Sequence, residues 1–362
     1  MSAAPRRIKI VVSDFHMGSG RRGPDGVVNE ADDFVSDQAF IDLMEYYRTG
    51  EFVDAEVELI LNGDTFECLA LADPSDPEPN VITARKSIST VESILEGHKE
   101  LFTALRVFAA GDRRQVTFMV GNHDQDLLWK EVQSLLQARI HPSVRIVEDI
   151  YRFGGVHIEH GNQHDKHNRW EPRQIFLTRG LPEPVLNLPW GSDMYLMCML
   201  QLKRLRPYVN RVRPFKMAMM WSLVHDFRVV MRGIGRMIAA IFRARFRRYK
   251  AMRITLWRSL RMIFGMSVYP TLEGAARKVF KGDDTVHTVV FGHSHIPMIR
   301  HVLPGRVYVN SGAWIPTSNL HIAGLGYSLQ QTYVFIEQEN GRWHSRLKLW
   351  HGRRVVEEDV IL

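Results

Sequence analysis

Cysteine is scarce in this chain: only Cys68 and Cys198 occur among its 362 residues. Two cysteines in unrelated sequence contexts cannot form the disulfide framework of a small secreted protein, and they cannot supply a cysteine-ligated zinc site. Both are predicted to be ordinary buried thiols. Stability is therefore expected to come from a hydrophobic core, which a hydrophobic content of 45% can supply.

Long apolar runs are missing as well. The one long stretch without Lys, Arg, Asp or Glu runs from Val307 to Ile336, and it is broken by Pro316, unlike a transmembrane helix. The first residues pass from two arginines into a short β-like segment, without the apolar region or the cleavage site of a secretory signal. We therefore expect a cytoplasmic protein, with peripheral association at the inner membrane face left open.

Acidic residues are nearly absent from one segment. From Lys203 to Arg261 the chain has 17 Lys or Arg and a single acid, Asp226. This segment carries a net charge of +16 while the whole chain carries +7, so the remainder has a net charge of −9. The basic character belongs to one part of the chain.

Short β-branched runs, each followed by a polar cluster, are the main structural signal. Such nearly continuous apolar runs are typical of strands that are covered on both faces. They occur at Ile8–Val12, Val57–Leu61, Val116–Val120, Val156–Ile158 and Val289–Phe291. A helical pattern at Thr83–Ala110, and a second one that begins at Asp124 as N-cap and includes Leu128, Val132 and Leu135, lie between them. The alternation predicts an α/β fold with a mixed sheet, completed by antiparallel strands at Arg306–Val309, Thr332–Ile336 and Arg346–Trp350.

This alternation is interrupted between residues 169 and 281. Apolar and basic residues mix there at helical spacing. We interpret residues 169–281 as a helical insertion, a cap or a membrane-surface element, within one catalytic domain formed by residues 1–168 and 282–362.

Metal-type side chains follow five of the predicted strands. The sets are SDFH with Asp14 and His16, NGD with Asp64, GNHD with Asn122, His123 and Asp124, EHG with His160, and GHSH with His293 and His295. In open α/β sheets ligands bind beyond the carboxyl ends of the strands, so residues from five separate runs can converge there. Convergence is what a site for two metal ions requires.

The residue types also suit this chemistry. One carboxylate can bridge two cations, while neutral imidazoles and an amide oxygen complete each coordination shell without cancelling the positive charge. Two such ions about 3.5–4 Å apart can stabilise the attacking and leaving oxygens of an in-line displacement at phosphorus. In GHSH, residues two apart can each meet a different ion.

The ordered set D-x-H, G-D, G-N-H-D, H and G-H-x-H resembles the calcineurin-like metallophosphoesterases, over all the strand-like parts of the chain. The resemblance implies a β-sandwich flanked by helices and a hydrolase acting on phosphate ester or anhydride bonds. It implies a first metal on Asp14, His16 and His295, a second on Asn122, His160 and His293, and Asp64 as the bridge. His123 would face the scissile phosphate, with Asp124 orienting its ring. Two divalent ions are expected, with Mn first and Fe, Zn or Mg as alternatives.

The segment after His160 supplies the candidate substrate-binding residues Asn162, His164, Asn168 and Arg169. Arg169 is suited to pairing with a phosphate. As the alternative, Asp165 and Asn168 brace the loop beneath His160, as residues behind metal ligands commonly do.

The insertion combines apolar and cationic positions at helical spacing. The apolar set is Phe227, Met231, Ile234, Ile238, Ile241, Phe242, Phe246, Tyr249 and Met252, and the cationic set is Arg228, Arg232, Arg236, Arg243 and Arg247. Such a surface suits an anionic bilayer, a nucleic-acid backbone, or packing against the catalytic domain or a second subunit. The many long apolar residues favour the membrane.

A helical cap of this kind is similar to that of the UDP-diacylglucosamine pyrophosphohydrolases, a branch of the same family. That resemblance implies a lipid-linked phosphodiester or pyrophosphate as substrate. The chain departs from that branch, which has arginine at the position of His123 and a shorter cap. The alternatives are a nucleic-acid or nucleotide phosphodiesterase and a protein phosphatase, with the basic insertion binding the polyanion or a partner subunit.

Overall fold

The computed structural model of the protein describes residues 5–22, 26–29, 32–72, 76–200, 203, 206, 211–213, 215–263, 272–319, 326–352 and 358–359. Its strands, in chain order, are β1 (Arg7–Val12), β2 (Glu56–Asn62), β3 (Arg114–Met119), β4 (Arg145–Val147), β5 (Tyr151–Phe153), β6 (Val156–Ile158), β7 (Phe176–Leu177), β8 (Val185–Leu186), β9 (Val212–Arg213), β10 (Thr288–Phe291), β11 (Met298–Leu303), β12 (Arg306–Asn310), β13 (Thr317–Asn319), β14 (Gly326–Ser328), β15 (Thr332–Glu339), β16 (Arg342–Leu349) and β17 (Glu358–Asp359).

The α-helices are α1 (Asp37–Arg48), α2 (Ala84–Gly97), α3 (Lys99–Ala109), α4 (Lys130–Arg139), α5 (Trp190–Met194), α6 (Phe215–His225), α7 (Phe227–Arg245), α8 (Leu256–Ile263) and α9 (Glu273–Gly282). A π-helical turn, Tyr195–Met199, continues α5 directly. None of the described helices is long and apolar enough to cross a membrane.

Two mixed sheets pack face to face. One has the strand order β17-β16-β15-β1-β2-β3-β4 and the other β11-β12-β10-β6-β5. Val11 and Ile60 from the first sheet and Val290 and Val309 from the second meet in one buried cluster between them. A larger cluster on the outer face of the first sheet includes residues of α1, α2 and α3. The predicted β-sandwich flanked by helices is confirmed, and the apolar runs are strands buried on both faces.

The strand directions set the position of the polar clusters. Strands β1, β2 and β3 are parallel neighbours, and β6 and β10 are parallel neighbours in the second sheet. Their carboxyl ends therefore lie at one edge of each sheet. The prediction of antiparallel strands holds for β15 and β16, whereas β12 pairs parallel with β10 and antiparallel with β11.

The long helix predicted at Thr83–Ala110 is two helices, α2 and α3. The chain breaks at His98, whose ring contacts the carboxylates of Asp32 and Asp37 at 3.3 and 2.7 Å. Gly97 beside it packs directly against the backbone of residues 19 and 20, so no side chain fits there. Tertiary contacts have overridden the helical spacing.

The helix predicted to begin at Asp124 starts later. A short 3₁₀ turn, Gln125–Leu128, comes first, and α4 begins at Lys130. The Asp124 carboxylate caps neither element, because it accepts hydrogen bonds from the backbone N–H groups of Gly121 and Thr65. Of the apolar positions, Leu128 and Val132 are buried as predicted.

The predicted insertion is attached by buried charges. Asp33, which is 1% exposed, accepts from Lys203 Nζ and Arg211 Nε, both at 2.8 Å. The last part of the insertion packs with the second sheet, because Leu272 and Phe280 lie in one cluster with Val289 and Tyr308. The boundary at residue 281 stays a prediction. The two prolines that divide the predicted insertion, Pro207 and Pro214, lie outside the described residues. Cys68 is buried as expected, whereas Cys198 is only half-buried.

Candidate metal centre

The seven predicted ligands lie at the carboxyl ends of five strands. Asp14 and His16 follow β1, Asp64 follows β2, Asn122 follows β3, His160 follows β6, and His293 and His295 follow β10. The turn 310–314 is hydrogen-bonded to the backbone that carries these ligands. Asn310 donates to the Gly292 carbonyl at 2.7 Å, and Trp314 N donates to the Asp14 carbonyl at 3.3 Å.

Six of these side chains form two groups that share one carboxylate. Asp14, His16, Asp64 and His295 place ligand atoms within 4.8 Å of one another, and so do Asp64, His160 and His293. His293 and His295 fall into different groups, as the spacing in GHSH suggested. The geometry thus offers two adjacent cation positions joined through Asp64.

The backbone at the ligands is unusual. Among the described residues, seven non-glycine residues have positive φ, and five of them are the proposed ligands Asp14, His16, Asp64, His293 and His295, with φ between 49° and 63°. Left-handed backbone at such residues is disfavoured and persists where the surrounding structure enforces it, often at functional sites. The fold therefore holds these ligands in place at a cost in conformational energy.

Two glycines of the motifs are required by close approach to the ligands. A Cβ at Gly121 would overlap the Asp64 carboxylate, and a Cβ at Gly292 would lie 2.6 Å from Asp14 Oδ2. Neither glycine has positive φ. The glycine in GNHD and the glycine in GHSH therefore make room for a carboxylate.

Several donor atoms in the centre suit a metal. Asp14 Oδ1, Asn122 Oδ1 and His160 Nε2 are buried and have no hydrogen-bond partner within the described part of the chain. Asp14 Oδ1 lies 3.2 Å from His295 Nε2, and His160 Nε2 lies 3.3 Å from Asp64 Oδ2, so the potential metal-ligand atoms of each group lie close together. Buried polar groups normally have partners. A carboxylate, an amide oxygen and imidazoles in this arrangement fit divalent cations.

The electrostatics of the centre favour positive charge. Burial alone would raise the pKa of Asp64, but His160 and then His123 lower it well below its usual value. Burial would lower the pKa of His160, but the Asp64 carboxylate raises it to about 10. The same field that retains a proton on His160 attracts a metal cation, whose binding would release that proton.

His123 lies beside the two groups and is held by Glu67. Its Nδ1 is 2.8 Å from Glu67 Oε1, and His16 Nδ1 is 2.9 Å from the other oxygen, Oε2. The prediction that Asp124 orients the ring is wrong, because the Asp124 carboxylate is occupied by backbone N–H groups. Glu67 was missed. The signal was present as a second carboxylate three residues after Asp64, in GDTFE.

The predicted substrate residues lie in the loop after His160. Asn162 donates to the Asn168 carbonyl at 3.1 Å, Asn168 donates to Asp165 Oδ2 at 2.7 Å, and His164 Nε2 is 2.6 Å from Glu159 Oε1. These three side chains thus brace the loop, whereas Arg169 is exposed. Asp165 Oδ2 is also 3.3 Å from His293 Nε2. Substrate binding by the four residues stays a prediction.

The insertion also reaches the centre. Ser192 Oγ in α5 donates to the Asn122 carbonyl at 3.1 Å. One turn later the Tyr195 ring packs edge-on against the His123 ring, with centroids 5.4 Å apart. Sequence reasoning missed both residues, since nothing near them resembles a motif. The insertion therefore forms part of the wall around His123.

Comparisons with known proteins add little beyond the fold. No protein-family profile matches the chain, and no curated protein sequence does. Among solved structures, a dimetal phosphatase from Danio rerio is 10% identical with a TM-score of 0.38, covering 98% of this chain and 99% of that one. An uncharacterised protein from Streptococcus pneumoniae, described as a predicted phosphoesterase, is 9% identical with a TM-score of 0.31 over 99% of both chains. Vps29 from Entamoeba histolytica, as a double mutant, is 10% identical with a TM-score of 0.26, over 71% of this chain and 87% of that one.

Proposed function

We propose that the protein is a hydrolase of phosphate esters or anhydrides that works with two divalent metal ions. The observation that carries this proposal is the pair of ligand groups sharing Asp64, in which unpartnered donor atoms converge. Asp14, His16 and His295 would hold one ion, and Asn122, His160 and His293 the other. When bound, two such ions supply Lewis-acid polarisation of the phosphoryl group.

The chain's own contribution to bond cleavage comes from His123. Burial alone would lower its pKa, but Glu67 and then Asp64 raise the pKa to about 9. With this pKa the ring is a doubly protonated imidazolium at neutral pH. It can donate the Nε2 proton to the leaving oxygen while its Nδ1–H stays hydrogen-bonded to Glu67. Glu67 fixes the ring orientation, and Tyr195 and Ser192 limit the approach of water from one side.

Metal removal tests the proposal directly. Dialysis against a chelator should abolish hydrolysis of bis(p-nitrophenyl) phosphate, and Mn²⁺ should restore it with about two ions bound per chain. Hydrolysis and metal content are measured on the same sample, together with Fe²⁺, Zn²⁺ and Mg²⁺ as competitors. Turnover that survives complete metal removal, or a chain that stays metal-free in excess Mn²⁺, would refute the proposal.

The substrate class follows from the exposed face of α7. Phe227, Met231, Ile234, Ile238 and Phe242 form one row along this helix, and each is between 38% and 56% exposed. The opposite side packs inward through Ala240 and Ala244, against Trp190 and Met194. These five side chains are not buried by the rest of the described chain, whereas Ile241 from the same predicted apolar set is buried. Packing of the exposed row against a second subunit stays an alternative. We infer that this row inserts into a membrane surface.

Charge supports this inference. Arg228, Arg232 and Arg245 on the same helix are exposed. Basic residues near an anionic bilayer each contribute about 1 kcal/mol to binding. Trp221 and Trp257 on the neighbouring helices are also exposed, at 65% and 76%. A lipid-linked phosphodiester or pyrophosphate is therefore the proposed substrate, hydrolysed at the membrane surface.

Vesicle flotation should show binding that requires anionic lipid. The protein should float with phosphatidylglycerol vesicles and not with phosphatidylcholine vesicles, and Ile238→Ser/Phe242→Ser should weaken binding at least about tenfold because buried apolar area is lost. Val53→Ser/Val107→Ser, which replaces exposed apolar residues outside the insertion, is the matched control. Absence of flotation together with tight, steeply salt-dependent binding to DNA or RNA would replace this inference with the nucleic-acid alternative.

A further inference from the structure

A cavity of about 470 Å³ lies between the loop 76–81, the turn after α5 and the inner flank of α7. It is separate from the metal ligands, none of which lines it. The turn between them connects the two places, because Tyr195 contacts His123 while the next residues, Leu196 and Met197, line the cavity. A cavity of this size accommodates a small ligand.

Three arginines line this cavity: Arg236 and Arg243 on one flank of α7, and Arg247 just after that helix ends. Arg247 is already engaged, since it donates to both oxygens of Asp193 at 2.8 and 2.7 Å. Arg236 and Arg243 form no ion pair with any of the described residues. Since α7 rises about 1.5 Å per residue, their Cα atoms lie about 10 Å apart, so both long side chains can reach one ligand.

Acidic residues in the lining do not cancel these two charges. Asp76 is paired with Lys86, so its charge is already compensated. Glu78 is the other acid in the lining, against two arginines that have no acidic partner. The cavity therefore keeps an excess of positive charge, which suits a phosphate or carboxylate because guanidinium groups bind such anions with two parallel hydrogen bonds.

Most of the remaining lining is apolar. Leu196, Leu200 and Met252 are already buried by the protein, whereas Val81, Met197 and Tyr249 are half-buried and line the same space as the arginines. A small inorganic anion would leave these side chains without contact, whereas a ligand that carries an apolar chain would bury them. The mixed lining selects a ligand with an anionic group and an apolar part.

We propose that this cavity, the arginine pocket, is a second anion-binding site that takes the phosphate or carboxylate head of an amphiphile, with its apolar part on Val81, Met197 and Tyr249. This site goes beyond the hydrolytic function proposed above, and binding to it requires no turnover.

The test uses metal-loaded full-length protein and three ligands in calorimetric titrations. Octylphosphonic acid has both an anionic head and an apolar chain, methylphosphonic acid has only the head, and 1-octanol has only the chain. Because a C–P bond is not a phosphate ester, the enzyme would not hydrolyse the two phosphonic acids. Wild type should bind octylphosphonic acid at one more site than the variant Arg236→Gln/Arg243→Gln does. In this variant the affinity of the pocket should fall at least about tenfold, because two charge-assisted contacts are lost. Arg300→Gln/Arg342→Gln, which replaces two exposed arginines outside the insertion, should bind as wild type does.

Restoring the charge with Arg236→Lys/Arg243→Lys should recover part of the binding. Equal binding by wild type and the glutamine variant would overturn the arginine pocket as an anion site. Methylphosphonic acid binding there as tightly as octylphosphonic acid would overturn the amphiphile and leave a site for free phosphate. Hydrolysis of bis(p-nitrophenyl) phosphate, measured alongside, should be unchanged in both glutamine variants, so failure of the hydrolytic proposal would be seen separately.

Discussion

Asp64→Asn should lower hydrolysis by at least about 10³-fold and reduce bound metal from two ions to one or fewer per chain. Asp64 is the one residue present in both ligand groups. Two cations in adjacent positions repel each other, and a shared negative charge offsets that repulsion. Asparagine keeps the shape of the side chain and removes the charge. The measurements are turnover of bis(p-nitrophenyl) phosphate and metal content after gel filtration.

The substitution is chosen so that loss of folding does not imitate loss of metal. Asparagine tolerates left-handed backbone better than most residues, which matters because Asp64 has φ 49°. Its amide oxygen can also still accept the hydrogen bond that His123 N donates to Asp64 Oδ1 at 2.8 Å. Loss of the buried charge pair with His160 should lower the unfolding temperature of the metal-free protein, but unfolding should stay cooperative, which shows that the chain still folds.

Asp126→Asn is the matched control. Asp126 is a buried carboxyl in the neighbouring 3₁₀ turn, and burial raises its pKa, although Ser87 and Cys68 hydrogen-bond to it. Asparagine keeps the shape of the side chain and Asp126 belongs to neither ligand group, so metal content and turnover should match the wild type. The bridging role of Asp64 would be contradicted if Asp64→Asn still bound two ions and kept more than a tenth of wild-type turnover. The two ligand groups would then not be joined through this carboxylate.

The convergence of the site could be predicted from the sequence because it depends on strand order. Parallel strands place their carboxyl ends at one edge, so a polar residue after β1, β2 or β3 is located once the strand is recognised. His160 and His293 follow from the same rule in the second sheet. The strand bounds differ from the predictions by a few residues at most, except that β15 and β16 extend further toward the turn between them.

Contacts between distant residues could not be predicted. Glu67 joins His16 to His123, yet its sequence position reveals only that a carboxylate is near. The break at His98 arises from Asp32 and Asp37, which are more than 60 residues away along the chain. Local periodicity contains no information about such partners.

The insertion shows the same limit from another side. Of the apolar set predicted from helical spacing, Phe227, Met231, Ile234, Ile238 and Phe242 form an exposed row on α7, whereas Ile241 and Met252 are buried. The spacing could not show which members face inward. The structure turns Ala240 and Ala244 inward instead. Small residues allow α7 to lie close to α5, and the bulky row is then left on the outside.

His123→Gln should lower turnover by about 10²–10⁴-fold while leaving two metals bound. Its ring lies beside the ligand groups, with the centroid 4.7 Å from that of His16, and its protonated form suits donation to a leaving oxygen. Glutamine retains a hydrogen-bond donor and removes the titratable group. The defect should therefore be large for a substrate with a poor leaving group and smaller for p-nitrophenolate, which departs without a proton.

Glu67→Gln tests the support that Glu67 gives to His123, since it removes the charge that raises the pKa of the imidazole and weakens the contact that orients the ring. Glutamine can still form one hydrogen bond with His123. Turnover should therefore fall about 10–100-fold, the range for residues that orient a functional side chain. Because Glu67 contacts His16 as well, this variant should also bind metal more weakly, whereas His123→Gln should not. The leaving-group dependence should persist in Glu67→Gln, since its imidazole is intact. If His123→Gln instead loses metal and slows both kinds of substrate equally, His123 serves the structure of the centre and another group protonates the leaving oxygen.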